Sequence, residues 1–100
     1  MTKRPTWNQI RGRRLTGAIA REAYARAKQA NELGAKVRLR REEAGLSQRE
    51  LAERIGTTQS AIARLESGGV LPTIATLARI ADALGNDLKV ELQPRTKRPA

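Results

Sequence analysis

Gln59, Ser60 and Arg64 are polar side chains set around the apolar pair Ile62 and Leu65, at positions no core requires. A glutamine amide can donate to N7 and accept from N6 of adenine in the major groove, a bidentate match worth about 1–3 kcal/mol of discrimination. Arg64 follows Ser60 by one helical turn and can reach a guanine or a phosphate. Thr57 and Thr58, immediately before, suit contact with a sugar–phosphate backbone as well as helix capping. The plain alternative for each is a solvated polar residue. Other chemistries are excluded by composition: the 100 residues include no cysteine and no histidine, so thiolate and imidazole catalysis, Cys/His zinc sites and disulfides are all ruled out. No pair of acids shares a face beside a pocket-forming segment and no metal-ligand cluster exists. An enzyme such as a nuclease is poorly supported, and no cofactor is expected.

The residues that must position this group read as short capped helices. Ser47-Gln48-Arg49-Glu50 forms a capping box, Leu51, Ala52 and Ile55 supply the inward face of a helix, and Gly56 stops it. Thr58 caps the next helix, Gln59 to Glu66, which ends at Ser67-Gly68-Gly69. Thr73 opens a last helix whose stripe is Ile74, Leu77, Ile80, Ala81 and Leu84, closed by Gly85. Upstream, an alanine-rich stretch from Gly17 to Ala30 has helical spacing, with Glu22 four residues before Arg26; helical character resumes from Ala35 to Ala44 and ends at Gly45. Gly34 interrupts that pattern and leaves one helix or two open. Leu88-Lys89-Val90-Glu91-Leu92 alternates strictly, the pattern of a strand with one buried face. A lone strand needs an edge from a second copy or another protein, unless the segment lies extended on the core.

Leu, Ile and Val together number 20 and alanine 16, which predicts an all-α fold with a thin, closely packed core. The domains expected are a basic, mobile arm at 1–14, an alanine-rich helix at 15–32, a compact domain at 33–86, a strand at 87–93 and a basic tail at 94–100. The net charge is +10, with five bases and no acid in residues 1–14 and three bases and no acid in 94–100, so the body is close to neutral. Basic arms favour a polyanion, since each cation that neutralises a phosphate releases condensed counterions; the bland reading is that they aid solubility. No apolar leader and no run near the roughly 18 residues of a membrane span is present, so a cytoplasmic location and no membrane partner are expected.

Two short helices joined by a turn at Gly56 fit a helix-turn-helix, in which the second helix enters the major groove. The runs Gly45-Leu46-Ser47-Gln48-Arg49-Glu50-Leu51-Ala52, Ile55-Gly56-Thr57-Thr58-Gln59-Ser60-Ala61-Ile62-Ala63-Arg64-Leu65-Glu66-Ser67-Gly68 and Pro72 to Gly85 resemble the Cro/repressor (XRE) family across residues 33 to 86. The resemblance implies a lambda-repressor-like helical bundle, here with an extra N-terminal helix and a short C-terminal strand. It implies base reading by Gln59 and Ser60, a phosphate contact by Gln48 aided by the positive helix end, and a structural ion pair between Arg41 and Glu66. One departure is Arg40, with Leu39 beside it, where the family's first helix commonly places an apolar residue.

A single module contacts few bases, so a homodimer on double-stranded operator DNA with half-sites about 34 Å apart is expected. Outside the motif the chain is similar to HigA-type antitoxins, which repress their own operons and silence a RelE/HigB-like toxin. On that resemblance Trp7, Ile10 and Tyr24 are the apolar anchors for a toxin, against the alternative that Trp7 folds back on its own domain. The competing readings are a stand-alone phage-type or chromosomal regulator and a basic RNA- or chromatin-coating protein, the latter insensitive to sequence.

Overall fold

The computed structural model describes the backbone of residues 7–95 and the side chains of residues 16–95. Four helices follow one another within it: α1 (Trp7–Glu43), α2 (Gln48–Ile55), α3 (Gln59–Glu66) and α4 (Ile74–Ala83). Each of the three short helices opens with a hydroxyl that accepts an otherwise orphaned backbone amide. Ser47 Oγ accepts from the Glu50 amide at 3.0 Å, Thr58 Oγ1 from Ala61 at 3.1 Å and Thr73 Oγ1 from Thr76 at 3.1 Å. The Ser47 amide answers by donating to Glu50 Oε1 at 3.1 Å, completing the capping box. That amide and the Ser47 hydroxyl hold the Glu50 carboxyl below its ordinary range.

Left-handed Gly45 (φ 72°) and Gly56 (φ 73°) turn the chain out of α1 and α2. Past Gly45, the Leu46 amide reaches back to the Arg41 carbonyl at 3.1 Å; past Gly56, the Thr57 amide reaches Ala52 at 2.9 Å. The turns are therefore short, and α2 packs against both α3 and α4 while α1 lies on α3. The core between them is small: Val37, Leu51, Ala52, Ile62, Leu65 and Ile80, with Ile55, Leu77, Ala83 and Leu84 packed around it. Arg54 Nη1 adds a polar tie by donating to the Ala83 carbonyl at 3.3 Å, joining the end of α2 to the end of α4.

Two sequence expectations change here, the arm and the strand, and the choice left open between one helix and two is decided. The alanine-rich helix and the first helix of the bundle are one uninterrupted α1 of 37 residues, and it begins at Trp7, so residues 7–14 of the expected arm are helical. Good helix formers continue a helix already nucleated on the core, so extension outward carries no new nucleation cost. Gly34 does not break it for a tertiary reason: a Cβ there would collide with the carbonyl oxygens of Leu65 and Glu66. The stripe that faces α3 is accordingly Ala30, Gly34, Val37 and Arg41, which leaves Leu39 and Arg40 exposed and fixes the register that Arg40 had put in question. Finally, Leu88 to Leu92 forms no strand, because a single chain offers no edge for it to pair with; the described residues contain no strand at all.

Replacing Gly34 by Ala should lower the unfolding free energy by about 1–2 kcal/mol, because overpacking against backbone outweighs the roughly 1 kcal/mol by which Ala favours a helix interior. Gly17→Ala, where nothing lies within 4 Å, should not lower it. Urea unfolding of both variants checks the pair, and equal behaviour would contradict the close approach of α1 to α3.

Candidate nucleic-acid interface

α3 has only eight residues, and three of them, Ile62, Leu65 and Glu66, are buried. Its outward face is consequently set by what remains. Ser60 and Arg64 are one turn apart and exposed, and Gln59, the first residue of the helix, is exposed as well. Thr57 and Thr58 are exposed immediately ahead of it; Thr58 is occupied as a cap through Oγ1, while the Thr57 hydroxyl makes no hydrogen bond among the described residues. Arg64 makes no ion pair among the described residues, in contrast to Arg38, Arg40 and Arg49, which are matched to Glu42, Glu43 and Glu53 at 2.9, 2.9 and 3.3 Å. The structure therefore brings Thr57, Thr58, Gln59, Ser60 and Arg64 to one exposed helix and its entry.

The end of α3 is held from behind by a buried ion pair. Arg41 donates through Nε to Glu66 Oε2 at 2.7 Å and through Nη2 to Oε1 at 2.9 Å, a two-point fork, and through Nη1 to the Leu46 carbonyl at 2.7 Å. Their side chains retain 10% and 3% of their accessible surface. Burial pushes the Glu66 carboxyl up, but hydrogen bonds from Arg41 and Gln48 and the Arg41 charge prevail and hold it below its ordinary 4.5. The same hydrogen bond to Glu66 raises the Arg41 guanidinium further above its already high value. The Arg41–Glu66 pair expected from the family resemblance is thus present with all its buried polar atoms satisfied.

Gln48 sits elsewhere than its expected role alone would suggest. It is half-buried at the start of α2, and its Nε2 donates to Glu66 Oε1 at 3.1 Å. An amide nitrogen carries two hydrogens, so the second remains for a phosphate oxygen, and the residue can connect the buried pair to a bound backbone. Sequence inspection did not find this link because the two partners are 18 residues apart. It also passed over Arg79 on α4, which lines a shallow hollow with Gly56, Thr57 and Ala61 and brings a cation close to the entry of α3. Its position outside the two-helix motif gave no local signal. Tyr24 is 74% exposed on the projecting part of α1, whereas the side chains of Trp7 and Ile10 lie outside the described residues.

A compact bundle presenting a short, capped, polar-faced helix defines a DNA-binding regulator of the helix-turn-helix type. The sequence profile of the helix-turn-helix family HTH_3 matches residues 37–90, and the chain belongs to that family, whose members are DNA-binding transcriptional regulators and generally not enzymes. It is 47% identical over 51 residues to an uncharacterized HTH-type transcriptional regulator of Methanothermobacter thermautotrophicus, and spans 51% of this chain and 74% of that one. An HTH-type transcriptional regulator of Sinorhizobium fredii is 42% identical over 64% of this chain and 32% of its own length. The ImmF control region 10 kDa protein of Bacillus phage phi105 is 37% identical over 59% of this chain and 66% of its own. Among solved structures, the clp gene regulator ClgR from C. glutamicum superposes with a TM-score of 0.59 at 32% identity, covering 60% of this chain and 77% of that one. Among the described residues no helix is long and apolar enough to cross a membrane.

The depressed Glu66 carboxyl makes its contribution to stability complete above about pH 4.5 and lost as the pH falls through its lower folded value. Glu66→Gln, which leaves Arg41 without its counter-charge, should cost about 3–5 kcal/mol at neutral pH. The gap between the two proteins in urea unfolding should narrow in acid; a gap independent of pH would mean that the ion pair contributes nothing.

Proposed function

We propose that this protein is a sequence-specific repressor that binds operator DNA as a homodimer and serves as the antitoxin of a type II toxin–antitoxin pair, neutralising a RelE/HigB-like toxin and repressing its own operon. The observation that carries DNA reading is the division of α3 into a buried face and an exposed face. Ile62 and Leu65 anchor the helix while Gln59, Ser60 and Arg64 are exposed, and Arg64 makes no ion pair among the described residues. Gln59 addresses an adenine edge, Ser60 an adjacent base, and Arg64 a guanine or a phosphate. Gln48, Thr57 and Thr58 hold the sugar–phosphate backbone on either side, so that register is set by contacts that carry no sequence information. From Gln59 to Arg64 the helix rises about 7.5 Å, roughly two base-pair steps, and so small a reading head gains specificity by acting in pairs.

The antitoxin part is supported by residues 19–29 of α1, which take no part in the core. From residue 19 to residue 29 every residue is exposed, and Ile19 and Tyr24 present apolar surface that the protein does not use itself. Tyr24, with Trp7 and Ile10 toward the start of the same helix, is the docking surface for the toxin. The second reading, a stand-alone phage-type regulator, draws on the similarity to the phage phi105 control-region protein.

Gln59→Ala should weaken binding to a selected operator by about 1–3 kcal/mol and leave affinity for a scrambled duplex unchanged when both are titrated at one salt concentration. Equal losses on the two duplexes would remove base reading from α3. Expressing the adjacent small reading frame should arrest growth, with relief and co-purification when this chain is present, and Tyr24→Asp should abolish the co-purification without altering operator binding. A harmless neighbour that fails to co-purify leaves the stand-alone regulator.

A further inference from the structure

A short helix lying in a major groove about 12 Å wide has a phosphate backbone along each of its flanks. At about 100° per residue, Ala61 and Glu66 turn away from the exposed Ser60 in opposite directions, by about 100° and about 120°, so they mark the two flanks of α3. The Glu66 flank is met by α1 through Arg41 and by α2 through Gln48. Across the Ala61 flank stands α4, and there Thr57, Ala61, Thr76 and Arg79 surround the shallow hollow over an apolar floor.

The rim of that hollow suits an anion. No carboxylate lines it, and the Thr57 hydroxyl makes no hydrogen bond among the described residues, whereas Thr76 Oγ1 is engaged with Thr73 at 3.0 Å. Arg79 is exposed, but the next residue, Ile80, is buried, so the backbone that carries the guanidinium is fixed by the core. Arg54 and Asp82 share a second hollow with Arg79. Even so, Arg79 makes no ion pair among the described residues, while Arg54 uses a guanidinium hydrogen on the Ala83 carbonyl at 3.3 Å. A guanidinium presents five donors in a fixed fork, the arrangement that matches phosphate oxygens.

We propose that Arg79, with the Thr57 hydroxyl beside it, grips one phosphate of the strand bordering the α4 flank of α3, across the groove from the strand that Gln48 meets. This contact rests on the reading of α3 proposed above and adds a charged hold to it, since Gln48, Thr57 and Thr58 are all neutral. It fixes where α3 lies along the groove and carries no sequence information of its own.

Titrating a selected operator and a scrambled duplex over a range of salt concentrations tests the contact. Arg79→Ala should weaken both about tenfold near 0.1 M salt and should lower the slope of log K against log salt by about 0.9, the loss expected for one phosphate. Arg79→Lys should keep the slope. Arg54→Gln removes an equal charge from the same corner while retaining a donor for the Ala83 carbonyl, and it should leave the slope unchanged. Because Arg79 is exposed, the urea midpoint of Arg79→Ala should match that of the wild type. An unaltered slope in Arg79→Ala, a loss confined to the operator, or an equal fall in slope in Arg54→Gln would each overturn the contact. Gln59→Ala separates it from base reading: equal losses on both duplexes would sink base reading and leave the Arg79 result standing, and an operator-only loss beside an unaltered Arg79→Ala slope would do the reverse. A wild-type chain that binds neither duplex would overturn both.

Discussion

A carboxylate at the last residue of a helix faces the negative end of the helix dipole, and a buried one also forfeits its water; Glu66 stands in both positions at once. Arg41 offsets both disadvantages. Its guanidinium forks onto the two carboxylate oxygens and uses its remaining arm on the Leu46 carbonyl in the turn between α1 and α2. Gln48, at the positive end of α2, completes the set. One cluster therefore touches α1, the turn, α2 and α3, and the orientation of α3 on the bundle depends on it. A purely apolar contact would bury as much surface, but it would not select a single azimuth for the helix, because hydrophobic burial has little directionality.

The division of labour that results is simple. The thin core of Val37, Leu51, Ile62, Leu65 and Ile80 supplies cohesion, the ion pair supplies orientation, and the caps at Ser47, Thr58 and Thr73 define where each short helix begins. None of these requires the exposed face of α3, which leaves Gln59, Ser60 and Arg64 available for the base contacts proposed for them. Most of the excess positive charge lies near the two ends of the chain, whereas the bundle itself is nearly neutral and several of its arginines are matched by glutamates four or three residues away. Under the proposed function, long-range attraction to a polyanion and local reading of bases belong to different parts of the chain.

How much of this was legible in the sequence follows the range of each interaction. Ser47 with Glu50 and Thr58 with Ala61 are three residues apart, and both were readable as caps. The burial of Ile62 and Leu65 followed from helical spacing, and the exposure of Gln59, Ser60 and Arg64 followed as its complement. Gly34 left the continuity of α1 open, because in isolation a glycine weakens a helix, whereas here it admits the backbone of Leu65 and Glu66, some thirty residues on. The Gln48 contact with Glu66 was hidden for the same reason. The alternation at Leu88 to Leu92 was visible as a pattern, but a strand is a property of two segments, and one chain contains only one of them.

The continuity of α1 makes the protein phase-sensitive. Because the helix runs from the core to Trp7 without a joint, Tyr24 keeps a fixed azimuth about the helix axis relative to Val37 and Arg41, and hence relative to the exposed face of α3. Anything held at the far end is aimed as well as tethered. Adding one residue to the exposed stretch would turn anything held there by about 100° and move it by about 1.5 Å, so its bearing relative to α3 would change far more than its reach. In a slack linker of equal length the same insertion would go unnoticed.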